Sequence, residues 1–219
     1  TYANGFWVAV GDRGAILTST NGISWTSRTS GTQSVLWGVA YGNDLLVAVG
    51  NGGTILTSPD GTSWTSRASG TSNALNDVAY GNGLWVAVGD NGTILTSTNG
   101  TSWTSRTSGT SEHLLGVAYA NGFWVVVGSG GTILTSTNGT SWTSRDSGTT
   151  SHLLSVAYAD GFLVVVGASG TILTSTNGTL WAPRDSGTTS ILRGVAYGNG
   201  FWVAVGDSGT ISTSRVIFS

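Results

Sequence analysis

The feature that most restricts what this chain can become is a repeat of fixed period. Trp25, Trp64, Trp103, Trp142 and Trp181 are spaced by 39 residues, and so are Tyr2, Tyr41, Tyr80, Tyr119, Tyr158 and Tyr197. Residues 75–113 and 114–152 align without a gap and are identical at 29 of 39 positions. A strict period in this range means that one supersecondary unit is copied and that its copies bury their apolar faces on one another. Units of about 1–35, 36–74, 75–113, 114–152, 153–191 and 192–219 follow, read as one domain over residues 1–219.

Each unit carries four short β-type runs separated by glycine-rich turns. In the unit 75–113 they are Leu75 to Tyr80, Leu84 to Val88, Thr93 to Thr98 and Ser102 to Arg106, with Gly-Asn-Gly at 81–83 and Asn99-Gly100 between runs. Asn-Gly pairs supply the positive φ that tight hairpins need, so each unit reads as an antiparallel meander in an all-β protein. The second run, as in Phe123-Trp124-Val125-Val126-Val127 or Phe6-Trp7-Val8-Ala9-Val10, is apolar on both faces and predicts an interior strand covered on both sides. The Trp7, Trp85, Trp124 and Trp202 set in this run therefore reads as core. The fourth run is polar, ends in Arg28, Arg67, Arg106, Arg145 or Arg184, and in one copy contains Pro183, which predicts an edge strand.

Four-stranded meanders of this length in tandem are the blades of a β-propeller. Six blades would need 234 residues, 15 more than the chain's 219, whereas five would leave about three strands over. Six is the favoured number and five the alternative. The tail Arg215-Val216-Ile217-Phe218-Ser219 departs from the repeat, and its alternation suits the outer strand that the last blade lacks.

Between the third and fourth runs stand Ser19, Asn21 and Trp25; Ser58, Asp60 and Trp64; Ser97, Asn99 and Trp103; Ser136, Asn138 and Trp142; and Ser175, Asn177 and Trp181. The segment Ser58-Pro59-Asp60-Gly61-Thr62-Ser63-Trp64 resembles the Asp-box, or bacterial neuraminidase repeat, and the units are similar to photosystem II assembly factor-type and bacterial propeller-lectin repeats. The resemblance implies a hairpin between third and fourth strands, where the run order already places one. Two departures stand out: the residue between Asp and Gly is missing, and four copies carry Asn. Either side chain accepts from backbone amides two residues on, so the boxes read as folding elements, not as Ca²⁺ or sugar sites.

A sialidase-type activity, which the resemblance invites, fails on inventory. The repeated arginines occupy the same point in every unit, and Glu112 is the only glutamate. With no cysteine, thiolate chemistry and thiolate metal sites are excluded. His113 and His152 sit at equivalent points of neighbouring units, too far apart in a propeller to share an ion, and read as polar loop residues. We expect a protein that is not an enzyme and needs no metal or cofactor. Eight scattered arginines, no lysine and a net charge of −2 exclude a nucleic-acid surface, and no apolar run reaches membrane-span length.

A binding surface should lie where near-identical repeats stop agreeing, which is the loop from the fourth run into the next first run. There Trp37, Asn76, His113, His152 and Arg193 are the candidate ligand contacts. The leading expectation is a non-catalytic, multivalent, lectin-like glycan binder, since repeated shallow sites gain avidity. The alternatives are a protein-interaction or assembly scaffold, or a designed or reconstructed propeller without an evolved ligand. An extracellular or bacterial cell-surface place suits these readings. Unpaired terminal strands would favour self-association.

Overall fold

The computed structural model describes residues 1–215, and the proposed strand role of the tail beyond Arg215 lies outside them. The protein is all-β, of the β-propeller class, with six blades. Its residues form two compact units, Thr1–Ser108 and Gly109–Ser219.

The first unit holds three sheets. Sheet one is β1 (Tyr2–Ala3), β2 (Phe6–Val10), β3 (Ile16–Ser19) and β4 (Thr26–Arg28); sheet two is β5 (Leu36–Gly42), β6 (Leu45–Gly50), β7 (Thr54–Ser58) and β8 (Thr65–Arg67). Sheet three is β9 (Leu75–Gly81), β10 (Leu84–Gly89), β11 (Ile94–Ser97) and β12 (Thr104–Arg106). In the second unit, sheet four is β13 (Leu114–Ala120), β14 (Phe123–Gly128), β15 (Ile133–Ser136) and β16 (Thr143–Arg145). Sheet five is β17 (Leu153–Ala159), β18 (Phe162–Gly167), β19 (Ile172–Ser175) and β20 (Ala182–Arg184). Sheet six is β21 (Leu192–Gly198), β22 (Phe201–Gly206) and β23 (Ile211–Ser214), three strands among the described residues. Six separate sheets, each an antiparallel meander in chain order, decide for six blades over five.

The predicted interior strand is the core of each unit. In β6 and β10 alternate residues point to opposite sides, and Val47, Val49 and Ile55 of sheet two pack with Val78, Trp85, Ala87 and Leu95 of sheet three. Leu46, Ala48 and Leu56, on the other side of sheet two, pack with Ala3, Val8 and Ile16 of sheet one. The second unit repeats the pattern, with Val125, Val127 and Ile133 of sheet four against Val156, Leu163, Val165 and Leu173 of sheet five. Burying apolar area at about 25 cal/mol per Å² makes these sheet-to-sheet contacts the main stabilising term. Cross-strand Tyr–Trp pairs recur on the first hairpin, with ring centroids 4.8 Å apart for Tyr80 and Trp85 and 5.0 Å for Tyr119 and Trp124.

Two expectations need correcting. The two-sided cover holds for β6, β10, β14 and β18, buried over all but their first residue, but not for β2 and β22, which carry exposed and half-buried residues along their length. Trp7 is accordingly 45% exposed and no core residue, in contrast to the fully covered Trp85, and Val205 is 46% exposed. The glycine-rich link from second to third strand is also not a plain turn. It is a single 3₁₀ turn in every blade, as at Asp90–Gly92 and Ser129–Gly131. The edge placement of Pro183 is as expected: it lies in β20 opposite Leu173, at the outside of sheet five.

The last glycine of that turn is fixed by both backbone angle and space. Gly131 has φ of +74°, and a Cβ there would lie 1.9 Å from the carbonyl oxygen of Thr149 in the next loop. Gly52, at the middle of the same turn in sheet two, has φ of +65° with open space around it, and its equivalents are Asn91 and Ser169. Gly131→Ala should therefore cost about 2–3 kcal/mol in urea unfolding, whereas Gly52→Asn should stay within about 0.5 kcal/mol of the parent.

Candidate functional site

The loop from each fourth strand into the next first strand is held by its own side chains. Ser147 Oγ donates to the Thr149 carbonyl (3.1 Å), and Thr149 Oγ1 accepts from the Ser151 amide (3.1 Å). Ser69 with Thr71 and Ser186 with Thr188 repeat the arrangement. The loop's backbone then docks on the 3₁₀ turn: the amides of Asn51, Asp90, Ser129, Ala168 and Asp207 donate to the carbonyls of Val35, Ala74, His113, His152 and Ile191, at 2.8–2.9 Å. The structural duty at this position is thus a main-chain one, which is why Val, Ala, His, His and Ile all serve. His152 adds a side-chain contact, its Nδ1 accepting from the Gly130 amide (3.2 Å) of the preceding blade.

Trp37, Asn76 and Arg193 are one position, two residues further on, and a β-bulge singles it out. In sheet two Leu36 pairs with Gly50 and Gly38 with Val49, leaving Trp37 without an opposite residue; Asn76 and Arg193 are skipped in the same way. A bulge bends the strand and re-aims the extra side chain. Here each is turned to the 3₁₀ residue of its own blade. Trp37 Nε1 donates to Asn51 Oδ1 (2.7 Å) and Asn76 Nδ2 to Asp90 Oδ1 (2.9 Å). Arg193 forms a two-pronged ion pair with Asp207, its Nη2 being 2.9 Å from Oδ2, which raises the guanidinium pKa and lowers that of the carboxyl.

The five candidates thus fall into two classes, a main-chain docking position (His113, His152) and a bulge position (Trp37, Asn76, Arg193). Asn51, Asp90 and Asp207 were missed as their partners. The signal is in the chain: at a spacing of 14, Trp is matched by Asn, Asn by Asp and Arg by Asp, while the bulge residues Leu115 and Leu154 stand 14 residues before Ser129 and Ala168. Trp37 nevertheless stays 55% exposed, so a fixed N–H leaves a bare indole face.

The Ser-x-Asn/Asp-Gly turns have the same geometry in all five complete blades. Ser97 Oγ accepts from the Gly100 amide (2.8 Å), and Asn99 Oδ1 accepts from the amides of Thr101 and Ser102 (both 2.9 Å). Ser19 with Asn21, Ser58 with Asp60, Ser136 with Asn138 and Ser175 with Asn177 do likewise. The indole N–H groups of Trp25, Trp64, Trp103 and Trp181 donate to the turn glycine's carbonyl; that of Trp142 is buried without a partner. Each fourth strand is then tied to the third through its arginine, as in Arg106 Nε to Thr96 Oγ1 (2.8 Å). These arginines are spent on the blade edge. Among the described residues no three His, Cys, Asp or Glu side chains gather as a metal site would need, and no helix is long and apolar enough to cross a membrane.

The sequence profile of the DUF6242 β-propeller domain matches residues 39–147, just under half of the chain. No curated protein matches it. Among solved structures, the chain is similar to YCF48 bound to D1 peptide, with a TM-score of 0.74 and 19% identity over 95% of this chain and 74% of that one. The computationally designed Ika8 protein gives a TM-score of 0.76 at 15% identity, over 99% of this chain and 70% of that one. A catalytically inactive virginiamycin B lyase from Staphylococcus aureus with quinupristin gives 0.79 at 14%, over 94% and 78%. At such identities the likeness is one of fold, shared by a peptide-bound protein, a designed one and an enzyme.

Asp60 is the one carboxylate at the box position. The Ser63 and Thr62 amides that it accepts hold its pKa well below the usual carboxylate range. A carboxyl that titrates lower when folded contributes fully above about pH 4 and loses that contribution as acid protonates it. Asp60→Asn, which keeps the accepting oxygen, should leave the melting temperature at pH 7 unchanged and flatten its fall between pH 4 and pH 2. Asp60→Ala should lower it at both ends.

Proposed function

We propose that the chain is a non-catalytic protein-interaction scaffold whose first-strand loops present rigid aromatic and polar side chains to a partner polypeptide. The observation that carries this reading is the state of Trp37. Its only donor is engaged by Asn51 while its ring stays open to solvent, and a pre-ordered, exposed Trp is the kind of residue that anchors protein interfaces. The glycan reading loses ground on the same geometry. A sugar needs free donors and acceptors around its hydroxyls, and Asn76, Arg193 and the Trp37 N–H already have partners in their own blades. The likeness to a propeller solved with a bound peptide supports the same choice. The box turns, with both Ser and Asn or Asp oxygens accepting backbone amides, support the Asp-box resemblance in a folding role.

A tiled peptide array probed with labelled protein tests the proposal. Specific peptides should bind, should be competed by the same peptides in solution and not by free monosaccharides, and should bind Trp37→Ala at least about tenfold more weakly. Competition by a free monosaccharide, or an unchanged Trp37→Ala, would return the glycan reading to first place.

A further inference from the structure

A cleft of about 310 Å³ opens between sheets one and two, lined by Phe6, Thr18, Thr26 and Arg28 of sheet one and by Asp60 and Thr62 of the hairpin that joins β7 to β8. Two neighbouring blades thus bring a cation, a carboxylate, an aromatic ring and several hydroxyls to one place. The aromatic wall is held from behind. A Cβ on Gly61 would lie 2.6 Å from Phe6 Cε2, so the ring rests directly on the turn glycine of the next blade. Leu45 rests on Gly100 and Phe123 on Gly178 in the same way.

The two charges on this cleft do not meet. Arg28 gives Nε to Thr18 Oγ1 (2.9 Å), and its two Nη groups have no protein partner among the described residues. Asp60 takes the Ser58 hydroxyl (3.1 Å) and the amides of Thr62 (2.8 Å) and Ser63 (3.0 Å) on Oδ1, and none of these bonds reaches Oδ2. No ion pair joins Arg28 to Asp60 among the described residues, so each charge is fixed by its own blade while both line the same space. Equivalent seams lack this opposition: Asn99 stands at the carboxylate's place beside Leu45, and Asn177 beside Phe123. A lone cation in the first cleft would meet Arg28 as a like charge, and a lone anion would meet Asp60. A ligand that carries both charges satisfies both.

The geometry points to a binding site for a small zwitterion of the α-amino acid class: the ligand's carboxylate bonds Arg28, its ammonium group bonds Asp60 and its apolar side chain lies on Phe6. Thr18 and the box turn hold the two charged groups, and Gly61 backs the ring, before any ligand arrives, so little ordering opposes binding. This site uses none of the Trp37 surface and does not depend on it.

Titration of L-phenylalanine into the intact, nitrogen-15-labelled chain, followed by NMR, is the test. Saturable one-to-one binding with a Kd of about 1 mM or tighter is expected, with shifts centred on the amides of Asp60 to Ser63. Phenylalaninamide, which lacks the carboxylate, and 3-phenylpropanoate, which lacks the ammonium group, should each bind at least about tenfold more weakly. Asp60→Asn should weaken binding to the same degree while melting with the parent at pH 7, and Phe6→Leu, which copies Leu45 of sheet two, should weaken it severalfold. No saturation up to about 10 mM, equal binding of either singly charged analogue, an unchanged Asp60→Asn, or shifts confined to other blades would overturn the site. So would glucose binding as tightly as L-phenylalanine, since the hydroxyl lining alone would then account for the cleft.

Discussion

Everything in this protein depends on second strands that are apolar on both faces. Such a strand has no hydrophilic side to offer, so a sheet containing it gains its stability by packing against a neighbouring sheet. Val47 and Val49 look to the next blade while Leu46 and Ala48 look to the previous one, and no blade could hold its shape alone. The polar, glycine-rich remainder of each unit follows from this. With nearly all apolar area concentrated in one strand and its neighbours, the links are free to be chosen for turn geometry and hydrogen bonding.

That concentration explains what could be read from the chain. Strand order, the edge position of Pro183 and the hairpins at Asn99-Gly100 and its equivalents are written in local patterns, because alternation, proline and Asn-Gly act over a few residues. The cover of β2 and β22 is not local: Trp7 and Trp85 stand in nearly the same sequence, each followed by Val-Ala-Val, yet one is 45% exposed and the other fully buried. The 3₁₀ turns escaped notice for another reason. Gly-Asp-Asn-Gly suits many loop shapes, and the one adopted depends on a carbonyl arriving from the preceding loop, as Ala74 does at Asp90.

Divergence between units points to the loops that lead into the first strands, and the structure brings the residues of those loops to the 3₁₀ turns. What the pattern of single positions hid was the pairing across 14 residues, because a bulge breaks the strand's simple alternation and sends Trp37, Asn76 and Arg193 where a regular strand would not. Side chains that look free for a ligand are thereby engaged within their own blades.

The main-chain docking of the loops has an evolutionary reading. Because Val35, Ala74, His113, His152 and Ile191 all support the fold through a carbonyl, mutation there changes what the surface displays while drawing little on stability. Each copy of the unit brings one more such display position on an unchanged frame. Duplication followed by drift can then explore new recognition chemistry one blade at a time, with the remaining blades keeping the molecule folded throughout the search.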